Sequence, residues 1–244
     1  MDTENIISTL TVEEKIQLVV GKGSMQTDSA NGKIKPIYMA DGPLGLRVNP
    51  KTMTQVPSSM NMATGIPEPV VEPTAMPSTA NLASTWNREL AYLFGSTLAD
   101  DCIDNNVDLL LAPGVNIKRR PLCGRNFEYF SEDPFLTGAL ASEYVKGLQD
   151  KGIGACVKHY CANNSEYDRN AISSEVDERT LREIYLTAFE MTMKHKPWAV
   201  MCSYNPINGI YASENKYMLN DVLRNELGFD GMVVSDWGAT HDAV

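Results

Sequence analysis

A chain of 244 residues with 43% hydrophobic content can bury one sizeable core, since single α/β barrels run to about 250 residues. Its formal net charge of -10 repels phosphate backbones and anionic lipid, which argues against nucleic acid or a membrane surface as partner. No apolar run is long enough to span a bilayer, and the opening MDTENIISTLTVEEK lacks the basic-then-apolar order of a secretory signal, so a cytoplasmic chain is expected. The 5 cysteines form no paired framework and read as reduced thiols, mostly in the core.

In chain order, the stretch 8–20 holds Thr11 followed by Glu14, which reads as a capping box that starts a short helix. Residues 21–33 hold Gly, Ser, Asp and Asn without periodicity, a loop. A first strand over 34–40 runs into Asp41-Gly42-Pro43, a carboxylate at a turn. The stretch 47–77, rich in Pro, Met, Ser and Thr, reads as a long surface excursion. Asn87 caps a helix to about Asn105, with Leu90, Phe94 and Leu98 at helical spacing. An apolar strand over 107–112 follows, then a cluster from Cys123 to Glu128 that neither helical nor strand periodicity explains.

A helix is expected over 138–151, and then a strand over 154–160 that ends on Lys158-His159. Asn163, Asn164, Asp168 and Arg169 crowd the loop beyond it, before a helix over 178–195 striped by Leu181, Ile184, Tyr185 and Ala188. The Asn163-Asn164-Ser165 sequon is read as coincidence. A strand over 198–203 leads to Tyr204-Asn205, and a helix over 215–227 delivers the chain to FDGMVVSDWG. There an apolar run through Met232, Val233 and Val234 reads as a buried strand that breaks into Ser235, Asp236 and Trp237.

Strand and helix alternate, each strand is apolar throughout, and each strand exit is polar. That pattern predicts a parallel sheet covered by helices, with all exits on one face. A TIM-type (β/α)8 barrel is preferred over an open doubly wound sheet because no G-x-G-x-x-G or P-loop follows any strand. Fewer than eight strands are recognisable, so the barrel is expected to be incomplete at its C-terminal end. No cofactor is expected. Nor is a metal, because His159, His195 and His241 lie far apart without ligand spacing.

The segments GRNFEYFSEDP, KHY, MCSYNPING and GMVVSDWG, in this order and spacing, resemble the family 3 glycoside hydrolases, in particular their β-glucosidases. The resemblance runs from Leu10 over nearly the whole chain. It implies that 1–244 is the family's N-terminal (β/α) barrel domain, lacking the last βα unit or units and the C-terminal sandwich domain. It also implies a retaining glycoside hydrolase acting on a small β-glucoside or oligosaccharide, with Asp236 as the nucleophile. Asp41, Arg125, Lys158, His159, Arg169 and Tyr204 match the residues that hold the sugar, and Trp237 would offer the ring an apolar face.

Elementary chemistry agrees with those roles. A retaining glycosidase needs an ionised carboxylate at the anomeric carbon and a second carboxyl group about 5 Å away to protonate the leaving oxygen. Arg125, Lys158 and Arg169 would keep Asp236 ionised, and Asp41, an acceptor only, can take hydrogen bonds from vicinal hydroxyls. Adjacent strand residues point to opposite faces, so Lys158 and His159 can both reach one sugar only where the backbone is distorted; a cis or strongly twisted peptide is expected there.

In the resembling enzymes a Glu of the C-terminal domain is the acid/base, and Glu128 and Glu166 match no family acid. The N-acetylglucosaminide branch carries a His in the loop after KH, where this chain has CANNSEYDRN. Two alternatives stand beside the β-glucosidase reading: an inactive sugar-binding fragment, and an unrelated barrel enzyme with Lys158 as a Schiff-base former. An open sheet edge would also favour self-association.

Overall fold

The computed structural model describes residues 3–47 and 71–241, so most of the expected excursion, 48–70, lies outside the described residues. Two short helices open the chain, α1 (Thr3–Ser8) and α2 (Val12–Val20). The helix expected to start at the Thr11 capping box is α2, and α1 precedes it. The Thr11 hydroxyl accepts from the Glu14 N–H at 3.2 Å and Glu14 Oε2 accepts from the Thr11 N–H at 2.9 Å, which starts the helix there.

Strands β1 (Met39–Asp41), β2 (Leu109–Leu111), β3 (Gly154–Tyr160) and β4 (Ala199–Cys202) follow. A two-stranded antiparallel hairpin, β5 (Pro206–Ile207) and β6 (Ile210–Tyr211), comes next, and then β7 (Met232–Ser235). The main sheet is parallel, with order β1-β2-β3-β4-β7. Parallel neighbours in chain order require a crossover each time. These are built from α3 (Thr79–Ser84), α4 (Arg88–Asp104), α5 (Pro134–Gln149), α6 (Glu178–Thr180) and α7 (Thr187–Met193), with a further helical segment over Tyr217–Glu226. The result is an α/β fold with a parallel half-barrel sheet.

Alternation along the strands makes two apolar layers. Ala40, Leu110, Ala155, Val157, Val200 and Cys202 join the main core with the helices. Met39, Leu109, Leu111, Cys156, Ala199 and Met201 form a second cluster on the opposite face, with Met232 and Val234 against it. Helices α4 and α5 meet at two glycines: a Cβ on Gly95 would lie 2.2 Å from the Tyr144 carbonyl oxygen, and one on Gly147 would lie 2.1 Å from that of Tyr92.

Several expectations are corrected. α5 begins at Pro134, where the Asp133 carboxylate accepts from the Leu136 N–H at 2.6 Å, a full turn before the expected start. Leu90 is 43% exposed while Phe94 and Leu98 are buried, so the α4 stripe is narrower than its spacing suggested. Between α6 and α7 the chain makes a π-helical stretch, Leu181–Leu186, and Tyr217–Glu226 is π-helical as well. The wider turn shifts side-chain phase, leaving Ile184 and Tyr185 half-buried where a regular helix would stack them with Leu181. β7 is half-buried along its length, because among the described residues it pairs on one side only. Four of the cysteines are buried, Cys123 is half-buried, and all are free. Burial pushes the Cys102, Cys156 and Cys202 thiols up to about 12, so they stay protonated. Among the described residues no helix is long and apolar enough to cross a membrane.

Candidate active site

Because the main strands are parallel, their C-terminal exits open on one side. β1 ends on Asp41, β3 passes through Lys158 and His159, and the exits of β4 and β7 bring Tyr204, Asp236 and Trp237. The loop after β2 tightens into a 3-10 turn, Asn126–Glu128, just after Arg125, and the loop after β3 presents Arg169. All eight residues singled out in the sequence, Asp41, Arg125, Lys158, His159, Arg169, Tyr204, Asp236 and Trp237, line one cavity of about 270 Å³. Met25, Arg47, Leu111 and Met201 complete its wall, and sequence patterning flagged none of these four. The Lys158–His159 peptide is cis, and both side chains face the cavity.

Charge is arranged in pairs. Lys158 Nζ lies 2.6 Å from Asp41 Oδ1 and 3.6 Å from Glu128 Oε2. Burial alone would lower the Lys158 pKa, but the Asp41 and Glu128 charges and the Asp41 hydrogen bond raise it, so the group is an ammonium. A Schiff-base former needs a free amine, so this pairing counts against that alternative. Burial would raise the Asp41 carboxyl, yet Lys158 and then Arg47, whose Nη1 is 3.1 Å from Asp41 Oδ2, hold it below the ordinary carboxylate value.

Asp236 is 7% exposed. Its Oδ1 accepts from the Trp237 N–H at 2.8 Å. Its Oδ2 has no hydrogen-bond partner among the described residues and stands 3.6 Å from both Arg125 Nη1 and His159 Nε2. Burial, then the Asp236 charge and a hydrogen bond to the Asp236 carboxylate, raise the Tyr204 hydroxyl, so it remains a donor; the Arg169 guanidinium covers the Tyr204 ring, 3.9 Å from its centre. The Trp237 indole N–H donates to the Ser24 carbonyl at 3.0 Å, which ties the β7 exit to the loop after α2.

His159 is fully buried and held by groups that nothing in the sequence announced. Asn116 accepts from the His159 N–H at 2.8 Å and donates to its carbonyl at 2.9 Å, clamping both sides of the residue. Its Nδ1 sits 3.2 Å from the Tyr129 hydroxyl and 3.2 Å from Asn116 Oδ1. Burial, then the like charges of Arg125, Lys158 and Arg169, push its pKa well below the ordinary histidine value, so the imidazole is neutral.

Glu128 and Glu166 lie outside the cavity wall. Glu128 is 3% exposed and takes Arg125 Nε at 2.5 Å; Glu166 pairs with Arg169. Asn163 of the sequon is 1% exposed, out of reach of a glycosylating enzyme in the folded chain. No cluster of three or more His, Cys, Asp or Glu side chains among the described residues is arranged to hold a metal.

Residues 46–244 match the Glycosyl hydrolase family 3 N terminal domain. Thermostable beta-glucosidase B of Acetivibrio thermocellus is 48% identical over 246 residues, an alignment that takes in 100% of this chain and 31% of that protein. The exo-alpha-(1->6)-L-arabinopyranosidase of Bifidobacterium longum is 45% identical over 97% of this chain and 30% of its own length. Among solved structures, beta-glucosidase 3B from Thermotoga neapolitana in complex with glucose superposes with a TM-score of 0.84 at 44% identity, covering 96% of this chain and 33% of that one. The chain thus spans about a third of the length of the relatives it matches. On these grounds the chain belongs to glycosyl hydrolase family 3, as an example of its N-terminal domain.

Proposed function

We propose that this chain carries the nucleophile side of a retaining β-glucosidase active site. The observation that carries the reading is Asp236: a buried carboxylate whose Oδ2 is left without a hydrogen bond beside a cavity of about 270 Å³, with Arg125 Nη1 3.6 Å away. In this reading Asp236 Oδ2 attacks the anomeric carbon, the bond to the leaving oxygen breaks, and a glycosyl ester forms. Asp41 accepts hydrogen bonds from vicinal hydroxyls, Lys158, Arg125 and Arg169 donate to the ring substituents, and Trp237 gives the sugar an apolar face. Neutral His159 reaches the same oxygens through Nε2.

The acid/base belongs elsewhere in the enzyme. Glu128 is tied to Arg125 and Lys158, Glu166 is tied to Arg169, and the two carboxylates in the cavity wall, Asp41 and Asp236, already have roles. Relatives about three times as long leave room for a second domain to supply it.

A dinitrophenyl glucoside needs little protonation to depart, and general acid/base help is worth about 10² to 10⁴ in rate, so this chain should be glycosylated slowly and released more slowly still. A fluorinated glucosyl inactivator is expected to add to Asp236 and not to Asp236→Asn. A folded chain that takes no adduct would favour the sugar-binding alternative, and an adduct on Glu128 or Glu166 would reassign the nucleophile. The arabinopyranosidase relative supports one variation in the sugar. An α-L-arabinopyranoside lacks the hydroxymethyl group and has an axial 4-hydroxyl, so comparing the corresponding inactivators decides between the two.

A further inference from the structure

We propose that Glu128 is a positioning residue that holds Arg125 off the nucleophile, so that a cation stands beside Asp236 without hydrogen-bonding its attacking oxygen. The proposal rests on Asp236 being the nucleophile.

Five charged side chains form one alternating line through the site. Asp41 Oδ1 meets Lys158 Nζ at 2.6 Å, Lys158 Nζ faces Glu128 Oε2 at 3.6 Å, Glu128 Oε1 takes Arg125 Nε at 2.5 Å, and Arg125 Nη1 faces Asp236 Oδ2 at 3.6 Å. Glu128 is the middle of this line and the one member that does not line the sugar cavity. Set back from that wall, it acts on the reaction through the two cations it separates.

Its grip on Arg125 is directional. A guanidinium offers several donors in a rigid fork, and a free one would pair with a carboxylate through two parallel N–H bonds. Here the Nε edge is engaged by Glu128, and the Nη1 that remains stands beyond hydrogen-bond distance of Asp236 Oδ2. At that separation the positive charge still favours the ionised carboxylate, but the oxygen's lone pairs stay open for carbon. The charge count supports the same role. With His159 neutral, three carboxylates face two cations along the line; without the Glu128 charge, Arg125 and Lys158 would have only Asp236 and Asp41 to serve. Arg125 would then close on Asp236 and quench it.

The groups facing Asp236 are Arg125 from the loop after β2, His159 and the buried Cys156 thiol from β3, the buried Cys202 thiol from β4, and Tyr204 just after β4. Of these, only Arg125 is contacted by Glu128, which makes the effect separable.

The test compares wild type with E128Q, an isosteric neutral replacement, and E128D, which keeps the charge one methylene short. E128Q is expected to be labelled by the fluorinated glucosyl inactivator about 10²-fold more slowly, the cost of misplacing a reacting group by about 1 Å. The acid limb of its labelling profile should move down by about one pH unit, because a cation pressed onto a carboxylate favours its ionised form. A crystal structure of E128Q should show Arg125 within hydrogen-bond distance of Asp236 Oδ2. E128D should be slowed but keep the wild-type acid limb. Wild-type rate and profile in E128Q, or an Arg125 still standing off in its crystal structure, would overturn the proposal. If E128Q does not fold, a displaced acid limb in E128D would overturn it instead. If wild type itself takes no label at Asp236, the β-glucosidase reading fails, and the Arg125 position in E128Q still decides whether Glu128 sets it.

Discussion

The Lys158 ammonium and the Asp41 carboxylate meet at 2.6 Å across the exits of β3 and β1, with the lysine side chain 3% exposed and the aspartate 29%. A buried ammonium costs several kcal/mol to desolvate, and in this site Asp41 at one side and Glu128 at the other offset that cost. The pair that grips the sugar in our reading is also part of what keeps the strand exits together.

Asp41→Ala should therefore lower stability as well as sugar affinity. Removing one partner of a buried pair costs about 3 to 5 kcal/mol, and the partial exposure of Asp41 places this variant near the lower end, about 3 kcal/mol. Urea unfolding of wild type, Asp41→Ala and the double variant Asp41→Ala/Lys158→Met measures it. The double variant is expected to recover part of the loss, since the buried ammonium is gone while Glu128 gives up its Lys158 contact and keeps Arg125.

Stability should fall on mild acidification. His159 is neutral in the fold, with its pKa well below the ordinary 6.5, while the unfolded chain takes up a proton as pH drops through that value. The unfolded state then binds more protons, so stability is full above about pH 6.5 and is lost below it, by about 1.4 kcal/mol per pH unit for one group. His195 is lowered in the same direction, chiefly by burial, and adds with the same sign. Asp41, lowered below 3.8, contributes its share above that value and loses it only as pH falls through its own depressed pKa. Chemical denaturation between pH 7 and 5 should show the histidine slope, and His195→Gln should retain most of it.

Gly147→Ala should destabilise, although alanine is the better helix former by about 1 kcal/mol. The added Cβ would fall 2.1 Å from the Tyr92 carbonyl oxygen and 2.9 Å from the Ser96 nitrogen, both backbone atoms of α4 that cannot rotate away. Overpacking of this kind costs about 1 to 3 kcal/mol and outweighs the propensity gain. A lower thermal midpoint with unchanged labelling of Asp236 is the expected result, and Gly152→Ala, at an open position with φ +82, separates backbone strain from steric contact.

Much of the fold was legible because it is local chemistry. The Asn87 side chain accepts from the Glu89 and Leu90 N–H groups at 2.9 and 3.1 Å, and the capping box at Thr11 closes as its spacing predicts. β3 covers the whole of its apolar run, 154–160. The short strands β1 and β2 were overestimated, since pairing begins only at Met39 and Leu109, after the first residues of each expected run. The π-helical stretches were not legible at all, because their hydrogen-bond shift depends on what the helix packs against and leaves no mark on residue type.

What the sequence by itself determined was the alternation of apolar strands and helices, the polar exits, and the identity of the side chains those exits carry. Each depends on neighbours within a few positions, where residue type governs backbone preference and capping. Only the tertiary structure decided how those side chains meet. Lys158 reaches Asp41 across 117 positions because parallel β1-β2-β3 pairing brings the two strand exits to the same side of the sheet. Asn116 clamps His159 across 43 positions, and Glu128 stands between two cations that belong to different loops. The distances between such groups are set by packing and register, which a string of residues carries only jointly.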